Sequence, residues 1–274
     1  MDDKSLEKTV FQYNKNAKIK TSIVNVIKTC LTSLDSFLES LSREIPDSIN
    51  LIVEKVKTHY GSAENFDINI ELEYPTLRKY PKLLVLSRDM VLSLINYNKY
   101  KQYPIEDQIE VDASDLIRTY AHFEFYYVNS LLAIFSREEA IEYIKTQETK
   151  KVQTRRDPNK FIDTLEDLVK DLKTNIGFWQ TQEAIAEILN ERTLVFKAKK
   201  CRWAEIMRDL DPEFGYAMLC NNDYEQTKNY NANFVLTRNN TLMEGDEYCD
   251  FCWHDTRKSK QISHPSEEFW RDLK

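Results

Sequence analysis

Four glycines in 274 residues are too few to build a phosphate-cradling loop, and no serine or threonine sits in a nucleophile-elbow pattern. Nucleotide-dependent chemistry is therefore not expected. No apolar run approaches the roughly 20 residues that a membrane-spanning helix needs. The opening stretch Met1–Lys8 also lacks the apolar centre of a signal peptide, so the expectation is a cytoplasmic protein with no membrane partner. Positive charge is not in excess: 38 Lys and Arg against 45 Asp and Glu give a formal net charge of -7, which argues against a nucleic-acid partner. The one basic run, Lys150 to Arg156, is short and reads as a solvated linker. Cysteine is scarce and odd in number, at 30, 201, 220, 249 and 252, so these residues read as thiols rather than a disulfide framework.

What the chain does contain is an ordinary folded composition, 42% hydrophobic and 30% charged. Its 15 Tyr and 13 Phe suit a large core or an aromatic-lined pocket. Apolar residues from Ile19 through Ile23, Ile27, Leu31, Leu34 and Leu38 to Leu41 recur in threes and fours, predicting a helix over 17–41. The same spacing predicts a helix over 48–60 stopped by Gly61, and others over 84–97 and 113–135. Ser136 and Glu139 form a capping box for a helix to about 148. Asp157-Pro158 opens one over 158–176, which Gly177 ends. Beyond it the texture changes. Residues 194–201, 234–238, 241–244 and 248–254 read as strands, the last three joined by tight turns at Asn239-Asn240 and Gly245-Asp246. Asp211-Pro212 caps a short helix toward Cys220. The expected fold class is α+β: a helical N-terminal half, then a small antiparallel β-sheet meander packed with helices. The expected division is a helical extension over 1–110 and a catalytic domain over 111–274. Helices 17–60 would pack on that domain or on a second copy of the chain as a homodimer.

Reactive side chains concentrate in residues 193–255. On a regular helix Glu213, Ala217, Cys220 and Asp223 share one face, setting a thiol between two carboxylates. Alternatively, Cys220 is a small buried filler and Glu213 an ordinary acidic residue of a first helical turn. A helix C-terminus and Asp223 both oppose a thiolate at Cys220, so a cation must offset them, with His254 or Arg238 as candidates. In the last strand Tyr248, Asp250, Cys252 and His254 face one way, and Cys249, Phe251 and Trp253 the other. The two sulfurs of Cys249-x-x-Cys252 therefore diverge, which argues against a zinc site. Asp250 and His254 read either as an acid–base pair or as the solvent side. His122, among aromatic residues, reads as a core or pocket-wall group, whereas His59 and His264 have no chemistry beside them in sequence.

Several segments together resemble the L-2-amino-thiazoline-4-carboxylic acid hydrolase family: Cys201-Arg-Trp-Ala, Pro212-Glu213-Phe-Gly, Leu-Cys220-Asn-Asn-Asp223, Asn233 through Asp246, and Cys249-Asp250-Phe251. The resemblance covers about residues 115–255, with Arg137-Glu-Glu-Ala140 fitting the earlier helical part. It implies a hydrolase that opens a cyclic amidine carboxylate without an organic cofactor or metal. Cys220 is then the leading nucleophile, with Cys249 as the other candidate, and Asp223 its partner; Cys249 and Asp250 belong to the same site, which His254 joins as a candidate acid–base group from the strand pattern. Substrate binding falls to Arg238, Glu213 and Cys201. The resemblance departs after Phe251, where Cys252-Trp253-His254 is not the family's usual continuation. Cysteine-dependent acyl transfer or cyclisation, and simple binding of a small ligand, are the alternatives.

Overall fold

In the computed structural model, which describes residues 8–66, 74–154, 162–258 and 260–274, the chain starts a sheet and then leaves it. Strand β1 (Thr9–Phe11) belongs to a unit formed by residues 1–15 and 141–274, while residues 16–140 build a unit of their own. The expectation of an α+β fold is met: N-terminal helices come first, followed by a five-stranded antiparallel sheet with helices interspersed.

The unit of residues 16–140 opens with β2 (Lys18–Thr21), antiparallel to β3 (Ile109–Asp112). Helix α1 spans Ile23–Glu44 and starts at Ser22, whose hydroxyl accepts the Asn25 amide at 3.2 Å. The helix predicted over 17–41 is thus corrected at its start. Lys18-Ile19-Lys20-Thr21 has a period of two, and Ile19 pairs with Val111 in the strand register. Helices α2 (Ile49–Tyr60), α3 (Pro81–Leu94) and α4 (Ala113–Asn129) complete this unit. The α1 stripe from Ile23 to Leu41 is buried as the spacing requires. The Tyr60 hydroxyl donates to the Phe123 carbonyl at 3.0 Å in the same core.

The capping box forms in both directions: the Glu139 amide reaches Ser136 Oγ at 3.3 Å, and the Ser136 amide reaches Glu139 Oε2 at 2.9 Å. It starts α5 (Arg137–Thr154), which outruns its expected end. The predicted Asp157-Pro158 start lies outside the described residues. Helix α6 covers Leu165–Trp179 and includes Gly177, so that glycine does not stop it.

The sheet runs in the order β1, β4 (Gln182–Asn190), β5 (Thr193–Cys201), β7 (Cys249–Asp255), β6 (Phe234–Thr237). One face carries Phe11, Ala184, Phe196, Leu236, Cys249 and Trp253 onto Leu165 and Leu168 of α6. The other carries Ile185, Val195, Tyr248 and Cys252 onto Trp270 and Leu273 of the terminal segment, which holds α10 (Glu267–Asp272). Between β5 and β6 lie α7 (Arg202–Leu210), α8 (Pro212–Gly215), a π-helical turn (Tyr216–Cys220) and α9 (Asn222–Tyr230). Residues 241–244 form turns, not a strand. The two expected tight hairpins are replaced by one loop from Arg238 to Tyr248, because polar side chains take its amides: Asp246 Oδ2 accepts the Thr241 amide at 2.7 Å. Gly245 has φ of 105° there, a conformation that disfavours a side chain.

Candidate active site

The helix that was expected to align Glu213 with Cys220 starts as predicted. Asp211 accepts the amides of Glu213 and Phe214, both at 3.1 Å. Gly215 then lets neighbouring segments close in, since a Cβ there would stand 2.6 Å from Met243 Sδ and 2.8 Å from Met207 Cβ. Beyond it the backbone widens to a π turn, closed by the Asn221 amide on the Tyr216 carbonyl at 2.9 Å. Two side chains take carbonyls that an α-helix would use itself: Asn222 Nδ2 donates to Met218 O at 2.9 Å, and Arg238 Nη2 to Cys220 O at 3.0 Å. The extra residue of the turn breaks the single predicted face, leaving Glu213 at the exposed start of α8. Cys220 and Asp223 lie at the junction of the π turn and α9.

Arg238, at the end of β6, organises this junction. Its side chain is 1% exposed, and Nη1 meets Asp223 Oδ2 at 2.6 Å. Nη2 also donates to the Tyr216 hydroxyl at 3.3 Å. The guanidinium lies 5.1 Å from the Phe251 ring centre, 5.3 Å from Tyr224 and 5.6 Å from Tyr216. Burial works against its charge, but Asp223 holds the pKa above the ordinary arginine value. The Asp223 carboxyl is pushed up by its enclosure, with Arg238 opposing the shift. Its side chain nevertheless stays 36% exposed, so this carboxylate is reachable where its arginine partner is not.

Three thiols share this electrostatic neighbourhood: all feel Asp223, and Cys220 and Cys249 also feel Cys201. Burial raises the Cys220 thiol well above its usual value, and Asp223 adds to the shift while Arg238 resists it. Burial also raises Cys201, against the amides of Ala204 and Trp203. It takes Cys249 to about 12, although its sulfur accepts the Leu242 amide at 3.2 Å. At rest, then, all three thiols are protonated. The offsetting cation at Cys220 is Arg238.

Asp250 and His254 lie on the opposite face of the sheet from these groups, as the strand alternation predicts. Asp250 is 0% exposed. Its Oδ1 accepts the amides of Asn239 (2.9 Å) and Asn240 (2.8 Å), while Oδ2 accepts Asn240 Nδ2 (2.6 Å) and meets His264 Nε2 (3.1 Å). Burial alone would raise its pKa. The donors outweigh it, and the net shift is downward. His254 is buried, which lowers its pKa, and nearby His264 lowers it further. His264, which the sequence left without neighbours, contacts Asp250 and bridges to His254 through Thr237. Thr237 Oγ1 lies 2.9 Å from His264 Nδ1 and 3.2 Å from His254 Nε2. Trp270 Nε1 also points at His264 Nε2, at 3.0 Å. Buried Lys197 donates to the carbonyls of Trp270 and Leu273, the latter at 3.1 Å, and lies over the Tyr248 ring.

Sequence reasoning missed Thr237, His264, Tyr216, Tyr224 and Lys197 as partners. A strand position two residues from Asp250's turn was a usable signal for Thr237; nothing local marked the others. Among the described residues no cluster of His, Cys, Asp and Glu could hold a metal ion, and no helix is long and apolar enough to cross a membrane.

Residues 117–253, half of the chain, match the family model described as L-2-amino-thiazoline-4-carboxylic acid hydrolase. No curated protein matches the chain. Among solved structures, the crystal structure of Fe(II) unliganded H-NOX protein from K. algicida is similar at 13% identity, covering 89% of this chain and 100% of that one. Its TM-score of 0.27 is too low to bear on fold or function.

Proposed function

The chain belongs to the L-2-amino-thiazoline-4-carboxylic acid hydrolase family, and from that premise we propose that it opens a 2-aminothiazoline-4-carboxylate ring with Cys220 as nucleophile and Asp223 as its proton partner. The observation that carries the reading is the Arg238–Asp223 pair at 2.6 Å, set directly beneath the turn that bears Cys220. The Cys220 thiol is protonated at rest, so its proton must leave as the sulfur attacks. A carboxylate with a raised pKa is better matched to receive that proton than an ordinary one. Attack at the ring carbon between sulfur and nitrogen breaks the ring carbon–sulfur bond. The proton goes to the departing sulfur, and an isothiourea is left on Cys220. Water then adds to that carbon, and the Cys220 thiol leaves, releasing N-carbamoyl-cysteine with one water consumed.

The raised thiol pKa values favour a second reading in which Asp223 activates water directly and no covalent intermediate forms. Release of N-carbamoyl-cysteine from the synthetic ring substrate separates the two. Cys220→Ala is expected to lower kcat on the order of 10³-fold or more, and wild-type intact mass during turnover should show the substrate adduct. Turnover retained in Cys220→Ala but lost in Asp223→Asn selects direct water attack. Turnover retained in both rejects this site.

A further inference from the structure

The nitrogen His264 Nε2 faces two groups with opposite demands. Trp270 Nε1–H, 3.0 Å away, can only donate, and the Asp250 carboxylate, 3.1 Å away, can only accept. One nitrogen cannot serve both at once. Without a proton it accepts from Trp270; with one it donates to Asp250. The other ring nitrogen needs no rearrangement between these states, because Nδ1–H can donate to Thr237 Oγ1 in each, and the hydroxyl can pass its own proton toward His254 Nε2.

We propose that His264 is a positioning residue for the Cys220–Asp223 site, gripping Asp250 when Nε2 is protonated and Trp270 when it is not. The proposal rests on the reading of that site given above. The route is contiguous. Asp250 holds the amides of Asn239 and Asn240, and these directly follow Arg238, whose guanidinium holds Asp223 and the Cys220 carbonyl. Strand β6 is one edge of the sheet, so the turn at its end borders both faces. A protonated His264 adds an ion pair to the oxygen pair that fixes this turn; a neutral one transfers its grip to the terminal segment.

Other titratable groups face His264 from the elements packed against it. His254 is shifted down by burial and by its imidazole neighbour. The Cys252 thiol is raised by burial to about 12, and Tyr248 is also shifted up by burial. The Lys197 ammonium is occupied by the carbonyls of Trp270 and Leu273, and Glu267 and Arg271 pair with each other on the outside of α10. Asp250 is the carboxylate left in contact with His264.

A pH titration of the full chain by ¹H–¹⁵N NMR tests this between about pH 8 and about pH 5, where histidine charge changes. The Trp270 indole signal, assigned with Trp270→Phe, and the amides of Asn239 and Asn240 should shift together with one midpoint. The Trp253 indole, bonded to Thr227 Oγ1 at 2.9 Å on the other face, is the internal reference and should stay still. In His264→Gln, which cannot change charge, all these shifts should vanish. A Trp270 signal that does not move, or one that moves without the two amides, overturns the proposal. The wild-type titration decides even if the variant folds poorly. It also needs no substrate, so a failure of the hydrolase reading would show separately, as absent turnover.

Discussion

Among the described residues, the two faces of the five-stranded sheet each bury one cation, but they balance it in opposite ways. On the α6 side Arg238 is wrapped by three aromatic rings and paired with a carboxylate that remains partly open to solvent. On the α10 side Lys197 is bonded to neutral carbonyls, while the buried carboxylate, Asp250, is tied to amides and an imidazole. The first arrangement keeps a buried arginine and three protonated thiols around one reachable carboxylate. The second spends its polar groups on holding a turn and a terminal segment. Reactive potential and mechanical support are thus divided between faces a single sheet apart.

Replacing each cation tests that division most severely. Arg238→Met strands a carboxylate, and removing one partner of a buried pair costs about 3–5 kcal/mol; the open side of Asp223 places the expected loss near the lower end. Lys197→Met removes a charge whose pKa burial already lowers and strands only carbonyls, so about 1–3 kcal/mol is expected. Urea unfolding measures both, and equal losses would abolish the contrast.

The α6 face should fail at alkaline pH, whereas the α10 face, whose Cys252 and Tyr248 are also shifted up by burial, should fail in acid as well. A thiol whose folded pKa is raised contributes stability that is present below its unfolded value and lost as pH rises. For Cys201, Cys220 and Cys249 that loss begins above about pH 8.5, with a slope of up to about 1.4 kcal/mol per pH unit for each thiol. The raised Asp223 acts in the same direction at lower pH. His254 and Asp250 have lowered values, so their contributions are present above the unfolded values and lost as pH falls. The windows open below about pH 6.5 for His254 and below about pH 3.9 for Asp250. Thermal unfolding of Cys220→Ala should show a flatter alkaline limb, and of His254→Gln a flatter acid limb. A swap of limbs would refute the assignment.

A loss of similar size to that of Lys197→Met is expected at Gly215→Ala. The new methyl must displace the Met243 side chain and press on Met207, and overpacking of this kind costs about 1–3 kcal/mol. The Met243 tip can move aside, but the Met207 Cβ is fixed to its own backbone, so the loss lies within that range rather than at its floor. The loss should appear in urea unfolding with little change in the acid limb.

Local rules were legible wherever the partner was also local. The capping box at Ser136, the Asp211 cap and the alternation in β7 could all be read from neighbouring residues. Strand β4 could not. Its Gln182–Asn190 segment, with two Glu, two Ala and a Leu among nine residues, reads as a helix by propensity, and pairing with β1 and β5 overrides that preference. The π turn was equally hidden, since it depends on Arg238 reaching back 18 positions to Cys220 O. The site shows the same split. Cys220, Asp223, Cys249 and Arg238 were named from sequence and do gather on one face. His264 was passed over because its chemistry arrives from Thr237, Asp250 and Trp270.

Strand β1 offers just three residues, Thr9, Val10 and Phe11, to pair with Ala186, Ile185 and Ala184. Any shortened chain that begins after Phe11 would leave the backbone of β4 unpaired along one side, with the apolar run Ala184-Ile185-Ala186 at a bare margin. Such a margin templates further strands. Fragments trimmed from the N-terminal side should therefore self-associate through β4, and a short peptide carrying residues 8–12 should suppress that association by reoccupying the edge.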